Sequence, residues 1–521
     1  MKKCWIVVLA LLLTCTTALG EGDNLNLEGY PIVNEPITLR ITGQMNSLAT
    51  TWEGNYQLEY LTELTGIEFE PTGISSDAWQ QQKGLIFASG DLPDLFVSAN
   101  FSNAELLEYG SEGMLIPLND LIEEYMPNLQ AVLEKYPEGR ALVTSSDGNI
   151  YTLPLYNQVV RDMHNRYFIN KAWIENLGLE LPETLDDLYE ILKAFKEQDA
   201  NGNGDPNDEI PLTGYAGGDA LDGLILNALG VNTMVPSYGY TADREGNVYC
   251  VNTSDAYKDY LLYMRKLYAE GLLDAEFFTQ SREQYLAKAQ QGIVGAVRTS
   301  AMYIDAGTEI GYDYVQIDGL LSDRNDTRMV TARTGIHTGK VAITSANPYP
   351  EATARLLDYF YSEEGGINCY VGVEGISWEW IDEEAGTWDK IAPPEYDTPE
   401  TFRCIAGALE AGWCGYIDPA FNAGQGSENA MYLNEMSMQS FPYFVNGFPS
   451  LALSDEDNEI VQMYATDLST YVSQCRARFI TGEDDIEAMW DSYVQRCNDM
   501  GVLQITEIYQ TYYDQYLASM A

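Results

Sequence analysis

The chain has 521 residues, of which 45% are hydrophobic and 21% are charged, so it is neither disordered nor fibrous and is long enough for two or three domains. Lysine and arginine number 28 against 79 aspartate and glutamate residues, a net charge of −51 that argues against nucleic acid or an anionic membrane surface as a partner. The chain has two histidines, His164 and His337, which argues against a metal site with several histidine ligands.

The N-terminus has the pattern of an export signal. Two lysines precede the apolar run Trp5–Leu13, and Ala18–Gly20 is a small-x-small cleavage site. Residues 1–20 are therefore predicted to be a signal peptide, and the mature chain, with 26 basic and 79 acidic residues and a net charge of −53, begins near Glu21. In the alternative, Cys15 carries a lipid that anchors the protein at the cell surface. Both alternatives place the exported protein outside the cytoplasm.

The mature chain opens with the order strand, loop, helix, strand. Alternating apolar residues predict a strand at Pro36–Thr42, and a helical pattern spans Asn55–Thr65 up to Gly66. A second strand begins at Ile67, which gives the order of a parallel α/β unit. Because ligands bind beyond the carboxyl ends of strands in such sheets, the loop Gln44–Gly54 is predicted to be a ligand loop.

Six cysteines remain after signal removal, and they allow 15 pairings. They are Cys250, Cys369, Cys404, Cys414, Cys475 and Cys497. The absence of a Cys-x-x-Cys pair argues against a zinc or thioredoxin-type site. We expect buried thiols with at most one disulfide.

The segment Asp199–Glu209 follows a helix that Thr184 is predicted to cap, and it has the spacing of an EF-hand calcium loop. Gly204 stands at position six, where the loop turns sharply, but position twelve is Ile210 rather than glutamate. The predicted oxygen donors are Asp199, Asn201, Asn203, Asp205 through its backbone carbonyl, and Asp208 or Glu209 to close the shell, with Asn207 as an alternative. We expect a structural calcium ion, and a solvated turn is the alternative interpretation.

Aromatic residues are abundant, with 37 tyrosines and 9 tryptophans. Sugar rings stack on aromatic planes while a few directed polar groups meet their hydroxyls. Position in predicted loops and aromatic clusters indicates five candidate ligand contacts, Trp52, Asn55, Tyr156, Trp378 and Trp413. Packing in the core or at its rim is the alternative for each tryptophan.

Short segments in a fixed order resemble landmarks of a known family. From about Gly29 to the C-terminus the chain resembles the extracellular solute-binding proteins of ABC importers (family 1), in particular the oligosaccharide- and alginate-binding and LipO-like group. The segments that carry the resemblance include Ser89–Asp94, Gly113–Leu118, Asp147–Tyr151, Asn170–Leu179, Tyr361–Gly365 and Phe479–Gly482.

The resemblance implies an α/β, periplasmic-binding-protein-like fold with a ligand cleft between two lobes. The expected first lobe comprises residues 21–155 and about 300–365, and the helix-rich second lobe comprises 156–299 and about 366–521. The implied ligand is an oligosaccharide, the implied partners are the permease subunits of an ABC transporter, and the protein is expected to be a monomer without catalytic activity. The resemblance also implies that the Asp199 loop is a calcium site.

Two other functions remain open at this point. A peptide or other small solute would suit the same scaffold. A secreted glycoside hydrolase would need two carboxylates across a cleft, and adjacent acids such as Glu363 and Glu364 are too frequent in this chain to indicate one. The negative charge argues against polyanionic sugars, although a local basic patch around Arg161 and Arg166 would overrule that average.

Overall fold

The computed structural model describes residues 24–215, 220–234, 239–409 and 412–520. The predicted signal peptide, residues 1–20 with Cys15, lies outside the described residues. Within these ranges, no helix combines the length and the apolar character needed to cross a membrane.

The strands of the described residues are β1 (Ile37–Gln44), β2 (Ile67–Ile74), β3 (Leu95–Val97), β4 (Leu153–Asn157), β5 (Tyr167–Asn170), β6 (Ile210–Leu212), β7 (Tyr240–Ala242), β8 (Val248–Cys250), β9 (Val294–Arg298), β10 (Tyr314–Gln316), β11 (Val330–Ala332), β12 (Ile336–Ile343), β13 (Trp378–Asp382), β14 (Thr387–Lys390), β15 (Gly415–Ile417) and β16 (Phe444–Asn446). 

The helices are α1 (Tyr56–Thr65), α2 (Ser76–Ser89), α3 (Asn103–Ser111), α4 (Asn119–Tyr125), α5 (Pro127–Lys135), α6 (Glu138–Val143), α7 (Lys171–Leu177), α8 (Leu185–Glu197), α9 (Asp222–Ala228), α10 (Asp255–Ala269), α11 (Arg282–Gln290), α12 (Met302–Asp305), α13 (Thr308–Gly311), α14 (Pro350–Tyr359), α15 (Glu363–Tyr370), α16 (Pro399–Phe402), α17 (Pro419–Ala423), α18 (Glu428–Ser440), α19 (Asp455–Thr481), α20 (Ile486–Asp499) and α21 (Val502–Met520).

The first sheet has six strands in the order β15-β4-β12-β3-β1-β2. β1 is parallel to β2 and to β3, whereas β12 is antiparallel to β3 and β4, and β15 is parallel to β4. The predicted strand–helix–strand unit is confirmed, because β1 and β2 pair in parallel and α1 ends at Gly66 in the left-handed conformation (φ 77°). The fully buried Leu39, Ile41 and Leu153 lie in the core around this sheet.

The second sheet has four strands in the order β10-β5-β9-β6. β9 is antiparallel to β5 and parallel to β6, and β10 is antiparallel to β5. Its core includes the fully buried Ile169, Leu192 and Ala296 together with residues of the C-terminal helices α19, α20 and α21. Two sheets with separate hydrophobic cores form the two lobes of the α/β fold.

The sheets divide the chain differently from the expected lobe boundaries. β10 pairs in the second sheet, although the segment of about 300–365 was expected in the first lobe. β15 pairs in the first sheet, although residues after about 366 were expected in the second lobe. Strand pairing between residues that are distant in sequence leaves no local pattern, so periodicity does not reveal where the chain changes lobe. The exact boundaries stay a prediction.

The six cysteines named from the sequence are all described, buried and free, with no disulfide among them. Burial raises the pKa of the Cys369 thiol to about 12 and that of Cys250 to about 11. Such thiols stay protonated and pack as small apolar groups.

Candidate functional site

The ends of several strands meet along one edge of the first sheet. The carboxyl ends of β1, β3, β4 and β15 lie at this edge together with the beginning of the antiparallel β12. The chain passes to the second lobe from the same edge, in segments 158–166, 317–335 and 418–427. In the second sheet, the beginning of β5 and the ends of β6 and β9 lie at the edge that these segments reach. Ligands of open α/β sheets bind at such strand ends.

A pocket of about 430 Å³ opens at the ends of β1 and β3, and we call it the strand-end pocket. Its lining residues are mostly polar and include Gln44, Asn46, Ser47, Trp52, Ser98, Asn100 and Lys340. The Asn100 amide nitrogen donates to Gln44 Oε1 at 3.0 Å, and Lys340 Nζ donates to Asn100 Oδ1 at 2.6 Å. These amide and ammonium groups are suited to hydrogen bonds with hydroxyl groups.

Backbone strain is concentrated at the same pocket. Ser98 and Asn100 have φ angles of 50° and 51°, in the left-handed region that residues other than glycine adopt rarely. The backbone there is held by hydrogen bonds from Ser98 N to the Gly412 carbonyl at 2.6 Å and from Ala99 N to the Lys340 carbonyl at 2.9 Å. Strained residues of this kind cluster at ligand sites, where the surrounding structure maintains them.

Two of the five predicted ligand contacts lie near this pocket. Trp52 lines it, but the side chain is only 5% exposed and packs in the core beneath it. Asn55 is 2% exposed and caps α1, since its Oδ1 accepts from Gln57 N at 3.1 Å and from Leu58 N at 3.3 Å. The cap accounts for Asn55 without a ligand.

The other three predicted contacts are buried elsewhere. Tyr156 and Trp413 are fully buried in the core of the first lobe. Trp378 is 3% exposed and donates from Nε1 to the Gly372 carbonyl at 3.1 Å. It lines a separate pocket of about 410 Å³ with Glu364. The structure therefore does not bring the five residues together, and their role as ligand contacts stays a prediction.

Asn100 and Lys340 were not singled out from the sequence. Asn100 follows the short buried strand β3, so its position after a strand was an available signal. Lys340 lies in β12, which pairs with β3 across more than two hundred residues, and no local pattern indicates that neighbourhood.

Four arginines gather where the chain passes between the lobes, and we call Arg161, Arg166, Arg298 and Arg333 the arginine cluster. Arg298 Nη2 and Arg333 Nη2 donate to the same atom, Asn165 Oδ1, at 3.0 and 3.3 Å. Arg166 donates to the Arg161 carbonyl. Arg333 also lines a pocket of about 340 Å³ that residues of both lobes enclose.

In the predicted calcium loop, backbone N–H groups donate hydrogen bonds to the side-chain oxygens of the same loop. Asp199 Oδ2 accepts from Gly204 N at 2.9 Å, and Glu209 Oε1 accepts from Ala200 N at 2.9 Å. The second oxygens, Asp199 Oδ1 and Glu209 Oε2, are buried, and no group in the described part of the chain forms a hydrogen bond with them. Buried oxygens without partners are costly, and a bound cation would satisfy them.

The other predicted donors of the loop are distributed around these two carboxylates. Asp208 accepts from the side-chain amides of Asn201 and Asn203 at 3.0 and 2.7 Å, whereas the Asp205 side chain is exposed. In the described part of the chain no group of three or more His, Cys, Asp or Glu residues is arranged to hold a metal ion. A site in this loop would therefore depend on asparagine and backbone oxygens in addition to Asp199 and Glu209.

The chain matches the family model described as bacterial extracellular solute-binding protein over residues 46–367, which is more than half of its length. The chain belongs to this family. This solute-binding protein is 29% identical over 482 residues to the fructooligosaccharide ABC transporter substrate-binding protein FusA of Streptococcus pneumoniae serotype 4 (strain ATCC BAA-334 / TIGR4), with 89% of this chain and 87% of FusA covered. It is 26% identical over 368 residues to lipoprotein LipO of Bacillus subtilis (strain 168), with 66% of this chain and 68% of LipO covered.

Solved structures show the same fold. The structure of S. pneumoniae FusA in complex with kestose has a TM-score of 0.74 and 27% identity, and the alignment covers 92% of this solute-binding protein and 100% of that chain. A further FusA structure is an EF-hand mutant in complex with fructo-nystose. An extracellular solute-binding protein from Bifidobacterium longum subsp. infantis has a TM-score of 0.79 at 23% identity, with coverage of 92% and 98%. The two-lobed α/β fold predicted from the sequence is confirmed.

Proposed function

We propose that this solute-binding protein captures an oligosaccharide between its lobes and delivers it to the permease subunits of an ABC transporter. The observation that carries the proposal is the similarity to FusA, named as a fructooligosaccharide-binding protein, over 89% of the chain. The strand-end pocket supports it, because Gln44, Asn100 and Lys340 present amide and ammonium groups at the edge where the lobes are joined.

Capture would work by closure of the lobes. The three segments that join the lobes would act as the hinge, and a ligand that contacts both lobes favours the closed state by its extra contacts there. The permease would then recognise the closed state. The protein itself would act as a monomer and would catalyse no reaction.

We further propose that the Asp199–Glu209 loop binds a structural calcium ion. The buried, unpartnered Asp199 Oδ1 and Glu209 Oε2 favour Glu209 as the residue that closes the shell. Asp208 is less suited because both of its oxygens already accept from asparagine amides. The EF-hand mutant of FusA supports the presence of such a loop in a relative.

We also propose that the protein is exported, since the family is extracellular. Either cleavage near Glu21 releases it or a lipid on Cys15 holds it at the cell surface. The similarity to lipoprotein LipO supports the second route. Mass spectrometry of the protein from its native cell would distinguish a free N-terminus from a lipid-modified cysteine.

The test of oligosaccharide binding is thermal unfolding of the mature chain in calcium, with a panel of neutral and acidic oligosaccharides and of peptides. A ligand at about 100 times its Kd stabilises the folded state by about 2.7 kcal/mol. A shift with one class of oligosaccharide would support the proposal. Shifts with peptides alone would replace it with a peptide-binding function. Chromatography of each mixture after long incubation would detect hydrolysis, which would contradict a purely binding role.

A further inference from the structure

We propose that the oligosaccharide carries a negatively charged group, and that this group binds the arginine cluster. The inference rests on the proposed function and names its substrate class. Three features of the molecule support it: the position of the cluster, the neutral partners of its guanidinium groups, and the acidic partners of Arg403 and Arg476.

The arginine cluster lies where both lobes can contact one ligand. Arg161 stands in the segment that joins β4 to β5, and Arg333 stands in the segment that joins β11 to β12. Arg166 precedes β5, and Arg298 ends β9 directly opposite Tyr167 in the second sheet. Two joining segments and the adjacent edge of the second sheet therefore supply the four positive charges.

The guanidinium groups of the cluster meet neutral acceptors. Arg161, only 8% exposed, donates to Asn434 Oδ1 at 3.3 Å and to Gln425 Oε1 at 3.0 Å. Arg166 Nε donates to the Ser300 carbonyl at 2.7 Å. Arg298 Nε is buried and has no hydrogen-bond partner among the described residues.

The positive charges of the cluster repel one another and lower the pKa of two of its members. Burial lowers the pKa of Arg166, and the charges of Arg161 and Arg298 lower it further, against Asp162, which raises it. Partial burial also lowers the pKa of Arg333, and the charge of Arg298 lowers it further. Asp162 is exposed and is the acidic side chain that acts on both. An added anion would relieve this repulsion.

Two other arginines with little exposed side chain, Arg476 and Arg403, have acidic partners. Arg476 lies 2.7 Å from Asp222, and Arg403 lies 2.5 Å from Glu400. Among the described residues, no member of the arginine cluster forms an ion pair with a carboxylate, although the chain has 79 acidic residues. A charge that is partly removed from water without a charged partner costs stability, and clustered side chains of this kind are candidates for ligand contacts.

A carboxylate or sulfate group accepts two parallel hydrogen bonds from the planar guanidinium group of an arginine. The net charge of the protein does not prevent this, because charges farther away than about 8 Å are largely screened at physiological salt. The group that the arginine cluster would bind is therefore the anionic substituent of a sugar unit. A uronic acid would supply this substituent as a carboxylate, and a sulfated sugar would supply it as a sulfate.

Isothermal titration of the calcium-loaded mature protein would test the inference with three ligand sets of equal length: neutral fructo-oligosaccharides, uronate oligosaccharides and sulfated oligosaccharides. We expect one anionic set to bind at least tenfold more tightly than the neutral set. Its affinity should fall as salt increases. The set that binds identifies whether the anion is a carboxylate or a sulfate.

The variant Arg333→Gln removes the member of the cluster that lines the pocket of about 340 Å³. We expect this variant to bind the anionic oligosaccharide at least tenfold more weakly, with an affinity that depends less on salt concentration. The matched control Arg324→Gln removes a charge that pairs with Asp259 on the surface, and it should leave the affinity unchanged. If the neutral set binds more tightly and Arg333→Gln changes nothing, the inference is overturned while the proposed function stands. If no oligosaccharide binds in any set, the proposed function fails with it.

Discussion

Trp413 donates a hydrogen bond from its indole Nε1 to Oε1 of Gln57, at 3.0 Å, in the core of the first lobe. The same oxygen accepts from Leu409 N at 2.9 Å, and the Gln57 amide nitrogen donates to the Asn368 carbonyl at 2.7 Å. Both side chains are fully buried. Gln57 thus connects α1 to two distant segments of the first lobe through hydrogen bonds, and these bonds give Trp413 a structural role in the core.

We expect Gln57→Leu to destabilise the protein by about 3 kcal/mol, because it leaves the Trp413 indole and the Leu409 amide without acceptors in a buried environment. Urea unfolding followed by tryptophan fluorescence would measure the change in free energy. The exposed Gln81 in α2 provides the control, since Gln81→Leu should change stability by less than about 0.5 kcal/mol. Equal stability of the two variants would contradict the structural role of Gln57.

The contact between Gln57 and Trp413 also shows what the sequence does not reveal. Local patterns correctly predicted β1, α1 and its end at Gly66, because strand alternation and helix caps are properties of neighbouring residues. They did not predict that Asn55 caps α1 or that Trp413 reaches Gln57. The direction of a side chain depends on packing between segments that are hundreds of residues apart.

The calcium loop and the arginine cluster also differ in how far the sequence alone predicts them. The spacing of oxygen donors placed the candidate calcium loop, since that pattern is continuous in sequence. Arg161 and Arg166 are close in sequence, so a basic patch around them could be predicted. Arg298 at the end of β9 and Arg333 in the segment before β12 come close to them only in the folded chain. Tertiary structure alone brings the last two to Asn165.

Removal of calcium should destabilise the protein through the Asp199–Glu209 loop. We expect EGTA to lower the Tm of the native chain, because Asp199 Oδ1 and Glu209 Oε2 lose the cation that satisfies them. Glu209→Gln should abolish this calcium-dependent shift. Differential scanning calorimetry with and without calcium would measure it.

Asp205→Asn is the matched control for the calcium loop. Its side chain is exposed, and its expected contribution is the backbone carbonyl, which the substitution keeps. This variant should retain the calcium-dependent shift in Tm. A shift that survives Glu209→Gln but disappears in Asp205→Asn would contradict the proposed shell.

His164 should make stability depend on pH. Burial lowers its pKa to about 4, and the charge of Arg166 acts in the same direction. Its Nδ1 lies 3.2 Å from the Val160 carbonyl, and Gln316 Nε2 lies 3.0 Å from Nε2, which fits a neutral ring protonated at Nδ1. The unfolded chain protonates near pH 6.5 and the folded chain near pH 4, so this residue's contribution falls as pH decreases between those values.

The contribution lost across this range is on the order of 3 kcal/mol. We expect His164→Gln to flatten the dependence of the free energy of unfolding on pH between about 6.5 and 4. Urea unfolding of both proteins at intervals of half a pH unit would measure the difference. Parallel curves for the native protein and the variant would show that His164 is not held neutral by the fold.

Asn100 offers a test of the strand-end pocket that separates binding from stability. Its φ of 51° suits glycine, so Asn100→Gly should fold without added strain, whereas Asn100→Ala should lose about 1 kcal/mol of stability. Both variants lack the amide that contacts Gln44 and Lys340. Both should therefore bind the oligosaccharide about two- to tenfold more weakly, the effect of about one hydrogen bond.

Titration calorimetry would give the affinities of the two Asn100 variants, and urea unfolding would give their stabilities. Equal losses of affinity with unequal stabilities would assign the amide to the ligand. An affinity that follows stability, with Asn100→Gly binding as the native protein does, would remove Asn100 from the binding surface. The strain at Ser98 and Asn100 would then serve only to let the chain turn away from β3 towards α3.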